Sequence, residues 1–525
     1  MTITDTSPDS TVRAPAAAPA EQTWTPRLWG VLAVLCAVLF LDGLDVSMVG
    51  VALPSIGAEL GLSTTSLQWI VNGYVLGYGG LLLLGGRTAD LLGRRRVFLA
   101  ALAVFALASL VGGLVDNGAL LIATRFVKGL AAAFTAPTAL SILTTTFHEG
   151  PARNRALSVF SVFGASGYSS GLILGGLLTS FGWRWTFLTP VPLAVLALVA
   201  GIALIPRDRP AAGGGHDVLG AVTLTGGMLL AVYTVVSAPE RGWLDPVTLG
   251  SVVLAAALLV AFFVTENRVR HPLIRLGILR IGSIVRANLS IVALFGSYLS
   301  FQFMMTLYLQ DVLRWSPLKM AMALLPAGLL VAFGSPFVGR LIDRYGTPRL
   351  IISSMTSLSL GYAWFLATAG NSPHYAFTIL PTMLLLGGGF AFGFSSIMAQ
   401  ATDGIDDSEQ GLASGLVQTS GQVGAALVLA VVTALVAGGT AAGGDGFAEF
   451  HPGVNLVSGV AVVGLALNLI PSSAGTSPST PDRNDRSGGV LRGTPPLASS
   501  RPLPEGPPRL GLTGEVGEHP QRAVP

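Results

Sequence analysis

The chain has 525 residues, of which 51% are hydrophobic and only 11% charged, with a formal net charge of +3. A globular surface normally carries about 25% charged residues, so this composition excludes a water-soluble fold and defines a polytopic membrane protein. Arginine outnumbers lysine 28 to 2; in so apolar a chain that positive charge belongs to loops at one membrane face rather than to a nucleic-acid surface.

Taken in order, the first 23 residues lack an apolar core segment and lead straight into a full-length span, so no cleaved signal peptide is expected and the N-terminus stays in the cytoplasm. A span needs about 20 apolar residues. Fourteen stretches qualify, at 29–52, 66–86, 96–115, 118–143, 157–180, 185–205, 218–237, 246–265, 285–308, 317–338, 350–369, 375–398, 411–437 and 453–471. An even number returns the C-terminus to the cytoplasm. The inner loops then hold Arg87, Arg94 to Arg96, Arg153, Arg155, Arg207, Arg209, Arg268, Arg270, Arg275, Arg280, Arg340, Arg344 and Arg349, whereas the outer loops hold little beyond Arg184, Arg241, Arg314 and Lys319. This asymmetry follows the positive-inside rule. Trp29, Trp69, Trp183, Trp243 and Trp315 lie near span ends and fit an interfacial belt. Beyond Ser472 the chain turns to Pro, Gly, Ser and Arg without apolar periodicity and is expected to be disordered.

The loop after the second span, GGRTADLLGRRR (Gly85 to Arg96), has a near-copy, VGRLIDRYGTPR (Val338 to Arg349), after the tenth. Five identities share one offset of 253 residues: Gly86 with Gly339, Arg87 with Arg340, Asp90 with Asp343, Gly93 with Gly346 and Arg96 with Arg349. Spans 1 to 6 therefore repeat as spans 9 to 14, and spans 7 and 8 form a central insertion. Parallel six-helix repeats build one large transporter class, with the substrate site near the midplane between the halves. The expected organisation is a disordered cytoplasmic segment at 1–26, a six-helix bundle at 27–206, a linker with two extra membrane helices at 207–280, a second six-helix bundle at 281–472 and a disordered cytoplasmic tail at 473–525.

Charge inside a bilayer is expensive, so each such group needs a partner or a task. Four lie well inside spans: Asp42 and Asp45 in the first, Arg125 and Lys128 in the fourth. The two acids are three residues apart and share a helical face; such a pair can load and unload protons. Arg125 and Asp45 each lie about seven residues from the outer end of their span, roughly 10 Å deep at 1.5 Å per residue, so they can pair. A proton site tuned by the arginine and a fixed structural ion pair both satisfy this pattern.

Gly164, Gly167, Gly171, Gly175 and Gly176 line one face of the fifth span, which suits close helix packing or a hinge. Candidates for an apolar ligand surface are Asn72, Tyr74 and Tyr78, then Tyr168, and in the ninth span Phe301, Phe303, Met304, Met305 and Tyr308. The sequence holds no GxxxxGK[ST] loop, no HExxH and no GxSxG elbow, its six histidines are scattered, and Cys36 is its single cysteine. No enzymatic activity, metal or cofactor is expected.

These features together resemble the major facilitator superfamily, and within it the fourteen-helix drug:proton antiporters of bacteria, over about residues 27 to 472. Besides GGRTADLLGRRR, the resemblance is carried by DVSMVGVALPSIG (Asp45 to Gly57), LQWIVNGYVL (Leu67 to Leu76), RFVKGLAAA (Arg125 to Ala133), and GASGYSSGLILGG (Gly164 to Gly176) followed by WRWTFL (Trp183 to Leu188). It departs from the family where Leu172 replaces the proline of the antiporter motif and where Gly50 and Pro190 replace asparagines. The resemblance implies an all-α membrane fold of 14 helices, two six-helix bundles plus two inserted helices, exporting small, mostly apolar or cationic drugs by alternating access in exchange for protons. Asp45, Asp42 and Arg125 would couple the protons. The loop residues Gly86, Asp90, Gly93, Arg94, Arg95 and Asp343 would form a conformational latch, with Asp90 facing the start of a helix in the other half near Gln410. A monomer in the bacterial cytoplasmic membrane, contacting lipid, protons and a small-molecule substrate but no nucleic acid, is expected. A proton-coupled nutrient importer and a non-transporting sensor or scaffold are the alternatives.

Overall fold

Backbone groups in hydrocarbon must find hydrogen-bond partners within their own segment, and the apolar runs accordingly fold as helices. The computed structural model describes residues 24–148, 151–207, 218–242, 244–269, 277, 281–403, 405, 407–441 and 446–470. The expectations for 1–23 and 471–525, for Trp243 and for the linker stretches 208–217, 270–276 and 278–280 fall outside these residues. In chain order the helices are α1 (Pro26–Leu60), α2 (Thr64–Leu92), α3 (Arg94–Leu114), α4 (Gly118–Thr146), α5 (Pro151–Thr179), α6 (Arg184–Leu188), α7 (Pro190–Leu204), α8 (Val218–Arg241), α9 (Pro246–Glu266), α10 (Gly282–Leu307), α11 (Pro317–Tyr345), α12 (Thr347–Thr368), α13 (Leu380–Thr402), α14 (Asp407–Ala441) and α15 (His451–Leu469). Among the described residues, 12 helical stretches are long and apolar enough to cross a membrane, with α6 and α7 counting as one, Arg184–Leu204. The stretches expected at 66–86 and 218–237 also fold as helices, α2 and α8, which are not among those 12.

The helix ends follow local chemistry. Thr25 and Asn117 cap α1 and α4 by accepting from the Leu28 and Leu120 amides, and Asp245 caps α9 ahead of Pro246. The internal repeat is reproduced residue for residue at α2 and α11. Both helices are 29 residues long, starting at Thr64 and Pro317, 253 positions apart. Each is capped by a serine, Ser63 or Ser316, accepting from the amide three residues on at 3.3 Å. Each ends at a glycine of positive φ, Gly93 at 95° and Gly346 at 80°, and the next helix starts one residue later. The same offset relates Gly61, at φ 62° after α1, to Arg314, at φ 54°. Arg314 is the sole non-glycine residue of positive φ among the described residues: the repeat kept the left-handed turn and lost the glycine that suits it.

The first half packs α1 against α5 and α2 against α4, leaving no room for side chains at the crossings. A methyl at Gly175 would stand 2.8 Å from Met48 Cα on α1, and Gly167 and Gly171 meet the Phe40 and Leu44 carbonyls. The glycine stripe of α5 is therefore the surface on which the acid-bearing helix rests. The two halves meet through α5 with α11 and α2 with α14. Gly176 abuts Leu318 Cα, Gly328 abuts Ser169, and Gly79 abuts the Gln422 side chain. At the end bearing the α1–α2 turn, Gln310 Nε2 donates to the Val51 carbonyl at 2.8 Å, tying the halves directly. The inserted α8 lies across this seam: Thr225 Oγ1 donates to the Gly80 carbonyl of α2 at 3.0 Å, and Leu224 joins a core with Ile284, Ala413 and Leu416.

One belt expectation is corrected. Trp183 is 1% exposed, its indole N–H donates to Glu59 at 2.9 Å, and Arg184 stacks on its ring while bonding both Glu59 and Asp116. An acid at the end of α1 and one in the α3–α4 turn draw this tryptophan and its neighbour into the fold.

Candidate functional site

The four intramembrane charges converge. Asp45 on α1 is fully buried; one carboxylate oxygen accepts from the Arg125 guanidinium and the other from the Lys128 ammonium, both on α4. The small faces of α2 and α4 make this possible. Gly129 lies directly against the Tyr74 backbone and Gly73 is 3.3 Å from the Ile122 carbonyl by way of an added methyl, so the helices touch and the α4 cations reach past α2 to α1. Arg125 also donates through Nε to the Ile70 carbonyl at 3.2 Å, and its guanidinium lies 4.6 Å from the Tyr74 ring centre. Lys128 Nζ sits 4.7 Å from the Phe105 ring centre and 5.4 Å from that of Phe187. Ring faces thus contact both cations in addition to the carboxylate. Asp42, one turn before Asp45 and only partly buried, lies within electrostatic range of Asp45, Lys128, Tyr74 and Tyr78. Such a cluster can exchange a proton for a cation contact: a neutral Asp45 no longer balances two positive charges.

Lys128 is the member to which sequence reasoning assigned no role. The available signal was its spacing, three residues after Arg125 and so on the same face of α4.

The other candidates separate into groups. Tyr74 and Tyr78 stack at 6.2 Å and adjoin the ion cluster. Asn72 is fully buried beside Gln68, one turn away, and neither carboxamide has a hydrogen-bond partner among the described residues. Buried amides without partners are rare, which adds Gln68 to the candidates. Tyr168 on α5 is within electrostatic range of Tyr298 on α10, across the two halves. Phe301, Met304, Met305 and Tyr308 lie instead in the core of the second half, packed with Phe365, Phe447 and Phe450, and Phe303 is buried as well. An aromatic group that sequence reasoning passed over does adjoin Tyr168: Tyr298 lies 4.6 Å from Phe390, and Phe295 lies 5.5 Å and 5.9 Å from Phe390 and Phe394. Phe295 and Tyr298 stand 253 positions after Asp42 and Asp45, so where one half carries acids the other carries rings. In the loop repeat, Gly86 lies within α2, Gly93 and Arg94 form the α2–α3 turn, Arg95 donates to the Ile202 carbonyl at 2.6 Å, and Asp343 is exposed at the end of α11. The side chains of Asp90 and Gln410 fall outside the description.

Repeated helical halves with a buried ion cluster in one of them match the architecture of transporters built from parallel six-helix repeats. The chain belongs to the Major Facilitator Superfamily, whose family model matches residues 35–429. It is 38% identical over 425 residues to the puromycin resistance protein pur8 of Streptomyces alboniger, covering 79% of this chain and 83% of that one. It is 37% identical over 458 residues to the cephamycin export protein CmcT of Amycolatopsis lactamdurans, covering 86% and 93%. Among solved structures, the POT family transporter PepTSo superposes with a TM-score of 0.64 at 17% identity, covering 85% of this chain and 98% of that one, a likeness of fold alone.

Proposed function

We propose that the chain exports small, mostly apolar or cationic drugs or antibiotics in exchange for protons, by alternating access between its two halves. The observation that carries this is the buried Asp45 carboxylate shared by Arg125 and Lys128. A fixed structural pair needs one cation; two cations on one acid, with Asp42 nearby, form a cluster whose charge balance changes with each proton bound. Protonation at Asp45 frees Arg125 and Lys128 from the carboxylate, and their remaining contacts, the Ile70 carbonyl and the ring faces, keep them within the bundle. Because α1 rests on α5 through its glycines, and α5 meets α11 at Gly176, a change at Asp45 has a packed route to the other half.

The names of the relatives, a puromycin resistance protein and a cephamycin export protein, support export of antibiotics. Tyr78, Tyr168 and the Phe295, Phe390 and Phe394 rings supply a polarisable surface for varied apolar ligands. In this reading α2 and α8 complete fourteen spans, both termini are cytoplasmic, and the protein works as a monomer. Asp90 acts as a latch towards the start of α14, a reading supported by the packing of Leu81 and Leu84 near Ala413 and Leu416. The test is reconstitution into sealed vesicles with an imposed pH gradient and an internal pH dye. Addition of puromycin should dissipate the gradient in the wild type and not in Asp45→Asn. No drug-dependent proton movement in the wild type, or full activity in Asp45→Asn, would sink the proposal.

A further inference from the structure

The end of the first half opposite the α1–α2 turn holds a cavity of about 530 Å³ where the starts of α1 and α3 meet the ends of α4 and α7. Three cations line it, Arg27 from α1 and Arg94 and Arg95 from α3, and no acidic side chain does so among the described residues. Two of the three are aimed by the fold. Arg27 Nε donates to the Leu204 carbonyl at 3.3 Å, and an Arg95 terminal nitrogen donates to the Ile202 carbonyl at 2.6 Å. Both acceptors are carbonyls of the last turn of α7, which have no partner further along their own helix. A guanidinium carries five N–H donors, so the one carbonyl bond of Arg27 orients its fork and leaves other donors to serve a ligand. Arg94 and Arg95 have further partners of their own and add positive charge to this rim. The remaining wall is apolar, with Val31, Ile142 and Ile205 facing the same space.

We propose that this cavity binds the phosphate of an anionic phospholipid, with the three arginines on the headgroup and the apolar wall against the start of an acyl chain. The occupant is argued from position and from the double character of the lining. The cavity lies at the level where four membrane helices begin or end, which is where phosphate groups lie in a bilayer. Basic pockets between membrane helices are suited to such headgroups. Arginine forks match phosphate oxygens in pairs. A free phosphate would leave the apolar wall facing water, whereas a lipid covers both surfaces. The site depends only on the chain spanning a membrane, so it stands or falls separately from proton coupling.

The test is native mass spectrometry of the detergent-purified full chain titrated with phosphatidylglycerol, phosphatidylcholine or inorganic phosphate. Thermal unfolding of each variant checks that it is folded. Phosphatidylglycerol should be retained and phosphatidylcholine not. Arg27→Gln and Arg95→Gln should each weaken phosphatidylglycerol binding about fivefold, as expected for one charge at a membrane surface, and Arg344→Gln, the same charge change on α11, should not. Ile142→Trp keeps every charge and fills the cavity; it too should lose the lipid. Equal weakening by Arg344→Gln would overturn the proposal in favour of general charge attraction. Inorganic phosphate binding as tightly as the lipid would overturn the lipid assignment, and unchanged binding in Ile142→Trp would overturn the cavity itself.

Discussion

Asp45 and Lys128 form an ion pair in which neither side chain has any exposed surface. Breaking a buried pair by removing one partner typically costs about 3–5 kcal/mol because a charge is left uncompensated. Here the two partners are unequal: without Lys128 the carboxylate still has Arg125, whereas without Asp45 two cations face each other. Asp45→Asn is therefore expected to lower thermal stability more than Lys128→Gln, and Asp45→Asn with Lys128→Gln to recover part of the loss. Unfolding temperatures of the three variants in one detergent check this; strictly additive losses would show that the two side chains do not act as a pair.

Replacing Arg314 by glycine is expected to stabilise the protein. A left-handed backbone costs an L-residue about 1–2 kcal/mol, and the added freedom of glycine in the unfolded chain returns about 0.4–1 kcal/mol of that. A net gain of about 0.5 kcal/mol should appear as a slightly higher unfolding temperature. Gly61→Ala, at the matching turn, should move it the other way. A lower unfolding temperature for Arg314→Gly would mean that its side chain holds the turn for another reason.

The glycines of α5 and α1 should respond in opposite directions. At Gly171 a methyl would meet Ser47 and stand 2.6 Å from the Leu44 carbonyl, next to Asp45. Gly171→Ala is expected to lose about 1–3 kcal/mol together with most transport. Gly50 has open space where its side chain would go, so Gly50→Ala should gain up to about 1 kcal/mol from helix propensity. Transport assays and thermal unfolding separate the two; equal effects would remove the packing argument.

Contacts between the halves are expected to set their separation. The Gln310 bond to Val51 ties them at one end, and Gln310→Leu should raise the population in which that end is parted. Spin labels at Ser180 and Lys319 can report it, since Cys36 is buried and will not compete for label. An unchanged distance distribution would show the bond to be incidental.

Asp90→Asn tests the latch in the same way. In the proposed latch, loss of the Asp90 carboxylate should remove about 0.3–1 kcal/mol of helix-dipole attraction from the latched state and shift the populations by about two- to fivefold. If neither distances nor transport rate change, the latch reading fails.

Much of this was legible along the chain because it depends on local chemistry. Apolar runs of membrane length follow from backbone satisfaction in lipid, and Gly93 and Gly346, matched in the 253-residue echo, suit the short-range sterics of the turns they end. The cost of a charge in hydrocarbon singled out Asp42, Asp45, Arg125 and Lys128 without any coordinates. What the sequence could not reach was which groups meet. Only the packing of α2 on α4 through Gly73 and Gly129 let both cations close on one carboxylate. Only the docking of α10 and α13 separated Phe301, Met304, Met305 and Tyr308, sealed within one half, from Phe295, Tyr298, Phe390 and Phe394, grouped near Tyr168. An aromatic residue reads the same on any face of an apolar helix, because hydropathy records how much surface is buried and not against what. Contact is decided by the rotation and crossing of helices, and those are set by neighbours distant in sequence.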